Sequence, residues 1–593
     1  MTRFSLKAIA WKFKTASIKS WISLQDRYGW YSYTDWIREF ESNIICPSSW
    51  QSNDENPEWD LSFTILIPYR PGDDGYLPRT ITSIAHQGYP HWKLLLLIDQ
   101  SSEIPTPSGI IDISDERIVV PNIQGNPTGK IPYRDILDHE KLSEGYICHL
   151  LPGDTLSPNA LIEIANTLNA KPEIDILYTD EDQLNQDGTC RKNPLFKPEW
   201  SPELLFSYNY LDRAFIRAKL LTEAASLSTD NDVYEDFVYR SVEAAECIEH
   251  LPLIVVHAGG ARNSDLETPA AEQHLRSVRD HAKRIGIHDN PQVLYLAEGI
   301  SQLTWTVEEK EVAIIIPTRD KPEYLSRCLL SLMDTTAYNN YTITLVDSGS
   351  RDPETLSYYK EIENNPQIKI LEVQGEFNFS AALNLGAQHT NKEIVLFLNN
   401  DVEVIQPTWL EEMVRWSSIP EIGIVGGKLL YPDGKIQHAG IIMGMEGHAS
   451  HIFGRAEDGA NGTFGSVNWY RNYSAVTAAC MAMRREVYEK IGGFDEDYKL
   501  VFNDVEICLR AINAGYRVVY TPFAQLIHHE GGTRGHHIPS EDIHLGYEHM
   551  KDIVAQGDPY YNPNLSLAVR IPTLKRPFEE ASTERLWNIV KYF

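Results

Sequence analysis

The sequence predicts an α/β protein made of two tandem copies of one domain, each built on a mostly parallel central sheet with helices on both faces. Three observations predict it. The run Phe63-Thr64-Ile65-Leu66-Ile67-Pro68 has the length and unbroken apolar character of a buried strand ended by proline, and Val312-Ala313-Ile314-Ile315-Ile316-Pro317 reads the same way. A second apolar strand then ends in an aspartate, Leu94 to Ile98 before Asp99 and Tyr341 to Val346 before Asp347, at intervals that agree within one residue; a third ends at Asp154 and at Asp401. In the second copy, helix-period segments (Tyr324 to Met333, Ser380 to Gln388) alternate with strands (Tyr341 to Val346, Ile368 to Leu371, Glu393 to Leu398), which is the pattern of βαβ units.

Taken in order, residues 1–60 form an N-terminal helical segment. Arg3, Lys7, Lys12, Lys14 and Lys19 precede any acidic residue, while Phe4, Ala8, Trp11, Ile18 and Trp21 or Ile22 recur at helical spacing. The expectation is a basic amphipathic helix docked by its apolar stripe on the first domain; the second reading lays it on the anionic inner face of a membrane as a peripheral contact. Residues 61–298 are the first domain, 299–311 a linker, 312–567 the second domain and 568–593 a C-terminal tail.

Composition narrows the function classes. With 53 lysines and arginines against 83 aspartates and glutamates, the formal net charge is −30, which opposes an extended nucleic-acid surface. The seven cysteines are scattered without a Cys-x-x-Cys pair, which disfavours a disulfide framework or a zinc ribbon and fits a reducing compartment. No apolar run approaches the roughly 20 residues of a membrane span, and lysines interrupt the N-terminal segment where a signal peptide needs a continuous apolar core. The expected location is the cytoplasm.

Several residues at strand ends carry chemistry. Asp347, in Val346-Asp347-Ser348-Gly349-Ser350, is a carboxylate among small residues, suited to accept hydrogen bonds from a base or ribose and equally suited to shape a turn. In Leu398-Asn399-Asn400-Asp401 an apolar strand runs into oxygen-bearing side chains, and Asp401 stands where a magnesium or manganese ion could bridge it to substrate phosphates. Further on, Phe502-Asn503-Asp504 opens a helix, and His528-His529 precedes the loop Glu530-Gly531-Gly532-Thr533-Arg534. The first half matches with Tyr234-Glu235-Asp236 and His257.

The ordered set resembles family 2 glycosyltransferases of the type A nucleotide-diphospho-sugar transferase fold, in particular bacterial rhamnosyltransferase and polysaccharide-assembly members. Ile316-Pro317-Thr318-Arg319, Phe377-Asn378-Phe379-Ser380, Leu398-Asn399-Asn400-Asp401, Gln437-His438-Ala439-Gly440, Gly492-Gly493-Phe494-Asp495-Glu496 and Asp558-Pro559-Tyr560-Tyr561-Asn562-Pro563 carry the likeness. It implies a Rossmann-like fold and inverting transfer of a sugar from a nucleotide-sugar donor to a glycan or lipid-linked saccharide acceptor, in assembly of an O-antigen or capsule-like polysaccharide. It further implies that Pro317, Thr318, Arg319, Asp347, Asn378, Asn400 and Asp401 line the nucleotide-sugar pocket, that Asp401 and His528 hold a divalent metal (Mg2+ or Mn2+), and that Asp504 is the general base. The family usually has Glu-Asp where this chain has Asn503-Asp504.

The first half resembles the same family in Ile67-Pro68-Tyr69-Arg70 and Tyr178-Thr179-Asp180-Glu181-Asp182, but Pro152-Gly153 before Asp154 offers no side-chain oxygen, so metal is expected to bind there less well unless Asp180 or Asp182 compensates. Either this half is a degenerate domain that supports the catalytic one, or it is a second active transferase using Asp154, Asp236 and His257. The contrasting classes are a non-catalytic glycan-binding or scaffold protein and a sugar-phosphate nucleotidyltransferase, the latter disfavoured because Pro317-Thr318-Arg319-Asp320-Lys321-Pro322 has no glycine.

Overall fold

A computed structural model describes residues 6–41, 60–70, 72–98, 115–121, 133–140, 142–227, 233–259, 269–297, 300–373, 375–530 and 539–592. Arg3, Phe4, Cys46, Asp99 and the loop Gly531 to Arg534 lie outside them. The chain divides into two compact units: Tyr31–Trp200 with Tyr208–Gly299, and Met1–Trp30 with Ser201–Ser207 and Ile300–Phe593.

Each unit is built on one sheet, and the two sheets have the same plan. In the second, the spatial order is Ile368–Glu372, Tyr341–Asp347, Val312–Thr318, Ile394–Leu398, Cys480–Arg484, Ile422–Leu430, Arg517–His528 and Val402–Val404. In the first it is Ile118–Val119, Trp92–Ile98, Phe63–Tyr69, Tyr146–His149, Phe215–Arg217, Ile176–Leu184, Ile248–Ala258 and Thr155–Leu156. The internal repeat is thus one eight-strand topology used twice.

The sheets are mixed, which refines the expectation of mostly parallel ones. Val312–Thr318 lies parallel to both neighbours, but Cys480–Arg484 is antiparallel to Ile394–Leu398 and to Ile422–Leu430, and Val402–Val404 is antiparallel to Arg517–His528. Central strands are buried along their whole length, as helices on both faces require. The helix Pro322–Thr335 starts with proline at its first position, where the missing N–H costs nothing, and buries Leu325, Cys328, Leu329 and Leu332 on one face. The helix Phe379–Gln388 sits so close to the sheet that a Cβ at Gly386 would come within 2.4 Å of Ile315, so only glycine fits there.

Three segments differ from the sequence-based expectation. The N-terminal helix Leu6–Tyr28 packs within the unit of the second half and not on the first domain: Ile22 is fully buried, and Lys19 and Lys14 pair with Glu446 and Glu580 at 2.6 and 3.4 Å. The 299–311 segment is no free linker, because Ile300–Thr304 is a strand, Leu303 and Trp305 are buried, and Ser301 Oγ donates to the Phe206 carbonyl. The 568–593 tail likewise belongs to the core, with a helix Ser582–Tyr592 that buries Leu586 and Ile589. Among the described residues no helix is long and apolar enough to cross a membrane.

Candidate active site

The site of the second unit grows from the carboxyl end of Ile394–Leu398. Past this buried strand the chain turns at Asn399 and Asn400, with Asn399 N donating to the Ala479 carbonyl and Asn400 Nδ2 to Thr318 Oγ1 at 3.1 Å. The turn delivers Asp401 to the start of Val402–Val404, where Val402 pairs with His528 across an antiparallel ladder. That register brings two side chains 127 residues apart together: His528 Nε2 lies 3.1 Å from Asp401 Oδ1.

Asp504 comes from another element, in the first turn of the helix Asn503–Asn513, where Phe502 adopts a left-handed φ of 64° to turn the chain into the helix. Its Oδ1 accepts from the N–H of Val505 at 2.9 Å, and the side chain remains partly exposed. Asn503, in place of the family's usual glutamate, is buried and donates to Ser380 Oγ at 3.3 Å. It therefore ties two helices together.

Asp401, His528 and Asp504 all line one open cleft of about 970 Å³. The remaining expected residues lie just at or past strand ends or at a helix start and do not line that cleft. Pro317 and Thr318 are buried at the end of their strand, in register with Val346 and Asp347. Asp347 accepts from Ser350 N, Ser350 Oγ and Tyr359 Oη, so it shapes its own turn. Asn378 caps the helix Phe379–Gln388 through the N–H of Ala381, and Arg319 is exposed.

The cleft also contains residues to which the sequence assigned no role: Arg327, Tyr431, His451, His529 and Glu530. Burial holds the His451 pKa below the usual imidazole range, against the opposing pull of Asp504. Burial pushes the Glu530 carboxyl up, but His528, Gln437, Tyr431 and His451 together bring it below its ordinary value. Their position depends on strands and a hairpin far along the chain. Only Arg327 left a local signal, for Tyr324-Leu325-Ser326-Arg327 repeats Tyr76-Leu77-Pro78-Arg79 of the first copy.

A divalent cation fits the residues at Asp401. Among the described residues no cluster of three or more His, Cys, Asp or Glu side chains could hold a metal alone. Beside the pair Asp401 and His528 stands the side chain of Asn399, whose Oδ1 is a buried amide oxygen without a hydrogen-bond partner. Asn399 Nδ2 and Asp401 Oδ1 both face His528 Nε2, at 3.4 and 3.1 Å. One carboxylate, one imidazole and one amide oxygen suit an ion that takes its other ligands from phosphates and water.

In the first unit the equivalent residues are all engaged otherwise. Asp154 Oδ2 accepts from Arg213 Nε at 2.7 Å, and Oδ1 from the N–H of Gly259. His257 is bound at Nδ1 by Asp182 and at Nε2 by Ser157 Oγ. Asp236 accepts from Arg240 and Arg284 at 2.9 and 3.0 Å. Asp180 and Asp182 do not compensate, because Asp180 is bonded to Lys197 N and His250, and Asp182 to Arg191 and Tyr33. The register explains the contrast. Arg217 and Arg484 pair with the matching strand starts Tyr146 and Ile394, and counting back equally from each gives Arg213 in one copy and Cys480 in the other.

Comparison with known proteins relates the chain to glycosyltransferases. Residues 313–492 match the model for glycosyl transferase family 2. The chain is 35% identical over 536 residues to an O-antigen biosynthesis protein, RfbC, of Myxococcus xanthus, covering 87% of this chain and 41% of that one. To the uncharacterized protein y4gI of Sinorhizobium fredii it is 32% identical, covering 85% of this chain and 57% of that one. To the N-acetylglucosaminyl-diphospho-decaprenol L-rhamnosyltransferase of Mycobacterium tuberculosis it is 23% identical, covering 41% and 83%. The chain thus spans about half the length of the first two relatives.

Proposed function

Because residues 313–492 form a glycosyl transferase family 2 domain, we propose that the second unit transfers a sugar, with inversion, from a nucleotide-diphospho-sugar to a saccharide acceptor during assembly of a surface polysaccharide. The observation that carries this reading is that Asp401, His528 and Asp504, distant in sequence, line one cleft. The polysaccharide context rests on the likeness to the O-antigen biosynthesis protein.

Asp504 takes the proton of the acceptor hydroxyl as its oxygen attacks the anomeric carbon. The bond from that carbon to the diphosphate oxygen breaks, and the nucleoside diphosphate leaves with the electron pair. Attack from the face opposite the leaving group inverts the anomeric centre. Positioned proton removal is worth about 10²–10⁴-fold in rate. Asp401, His528 and Asn399 would hold a divalent cation, whose charge favours the developing diphosphate. The neighbouring Thr318, Asp347 and Asn400 face the nucleoside end of the donor from the sheet edge, with Pro317, Arg319 and Asn378 beside them.

On the same reading the first unit transfers nothing itself. Arg213 supplies a fixed positive charge beside Asp154, where the second unit has the neutral Cys480 and a place for a metal ion. Incubating the chain with nucleotide sugars, Mn2+ and a saccharide acceptor, then assaying nucleoside diphosphate release, tests both parts. Asp504→Asn is expected to lower turnover about 10²–10⁴-fold without changing thermal stability. Wild-type turnover in that variant would sink the assignment.

A further inference from the structure

Arg327 projects from the exposed side of the helix Pro322–Thr335 into the cleft that holds Asp401 and His528. Its Nη1 stands 3.1 and 3.3 Å from the two ring nitrogens of His529. That imidazole is held by Glu403 Oε2 at 2.8 Å from Nε2, and the backbone N–H of the same residue donates to the Asp401 carbonyl at 2.9 Å. The guanidinium is thus anchored on the residue that follows His528, the imidazole expected to hold the metal together with Asp401.

Its ionic state is unusual for this chain. With a net charge of −30, most cations here find a carboxylate, and the other cleft arginine, Arg455, pairs with Asp433 at 3.2 Å. Among the described residues Arg327 pairs with no carboxylate; its partners are the His529 ring and the Tyr324 ring, 6.0 Å away. The first copy keeps the same Tyr-x-x-Arg spacing, but there Arg79 spends Nη1 on the Gln186 carbonyl at 3.3 Å. Several N–H donors of Arg327 therefore remain for a ligand, in a planar fork that matches phosphate oxygens two at a time.

We propose that Arg327 grips the diphosphate of the nucleotide donor, holding it against the metal side of the cleft and stabilising it as it leaves. The inference rests on the reading of this cleft as a donor site. One divalent cation leaves a departing nucleoside diphosphate with net negative charge, and a guanidinium fixed by a histidine answers that remainder.

The test is calorimetric titration of the full chain with UDP, GDP and dTDP in Mn2+, and with the matching monophosphate for whichever binds best. Arg327→Met is expected to weaken nucleoside diphosphate binding roughly 10-fold or more, and to leave the monophosphate within about twofold and the unfolding temperature unchanged. Arg327→Lys should recover part of the loss. Equal diphosphate affinity in wild type and Arg327→Met overturns the role of Arg327 alone, whereas a wild-type chain that binds none of the three nucleotides overturns the donor-site reading beneath it. Loss of an acceptor diphosphate, added as inorganic pyrophosphate, without loss of the nucleoside diphosphate would likewise count against the donor assignment.

Discussion

Asp154 and Asp401 occupy the same place in two sheets of one topology, and the charged neighbour that separates them is Arg213. Arg213 is buried, and although burial opposes its charge, Asp154, Glu181 and Asp212 hold its pKa well above the ordinary value. Removing one partner of such a pair strands the other, so Arg213→Met is expected to cost about 3–5 kcal/mol of stability, read by denaturant unfolding. Adding Asp154→Asn should return part of that loss, because the uncompensated charge is gone while an oxygen remains for the Gly259 N–H. The same pairing predicts that manganese paramagnetic resonance counts one tightly held ion per chain, lost in Asp401→Asn; two ions would mean that Arg213 does not block the first copy. At this scale the places of Asp401, Asp504 and His528 were legible in the sequence because each lies within two residues of the start or end of a regular element. Glu530, His451 and the engagement of Asp154 were not, since a lone residue in a string does not announce which strand will lie beside it.

Among the elements, the hairpin of Ile441–Met443 and Ala449–His451 forms the cleft wall that carries His451, and it is held from behind. Glu446, at its tip with a φ of 55°, takes Lys19 at 2.6 Å from the N-terminal helix and Arg570 at 2.8 Å from the C-terminal segment. Burial works against its ionisation, but Arg570 and Lys19 outweigh it and hold the carboxyl at about 2, below the ordinary 4.5. A depressed carboxylate pKa contributes stability that is fully present above pH 4.5 and is lost as pH falls toward 2. Glu446→Gln should therefore lower stability at pH 7 on the order of 2 kcal/mol, discounted for its partly exposed partners, and flatten acid unfolding between those two pH values. An unchanged acid limb would show that the clamp contributes nothing. The helix that provides Lys19 was legible as a helix carrying lysines, and the helices Pro322–Thr335 and Phe379–Gln388 were legible to within two residues at either end. The docking surface was not, because lysine spacing says where charge lies and not which acid answers it.

At the level of the whole chain, the repeat was visible as spacing, since equal strand intervals are what two copies of one sheet leave behind. The interleaving of the chain was not. Ser201–Ser207, read as part of the first domain, belongs with the second unit: Ser201 Oγ donates to Asn472 Oδ1 at 2.7 Å and accepts from the Asn472 N–H at 3.1 Å. Ser207 Oγ accepts from Tyr470 N at 2.9 Å, and Glu203, itself buried, pairs with Arg517 at 2.9 Å. Residues of two separate sequence intervals, 1–30 and 201–207, therefore complete a core whose main body starts at 300. A fragment cut at the expected linker, 300–593, leaves the Asn472 and Tyr470 amides and the Arg517 guanidinium without those partners, and uncovers apolar surface beneath Ile22, Leu204 and Leu205, all buried in the full chain. Each orphaned buried group costs about 1–3 kcal/mol, and the sum is comparable to the roughly 5–15 kcal/mol that stabilises a domain. The fragment is accordingly expected to unfold or aggregate where the full chain gives a cooperative melt, and co-expression of residues 1–299 should rescue it by returning both intervals. A fragment that melts as the full chain does would mean that the two intervals are passengers and that the second unit is self-sufficient from residue 300.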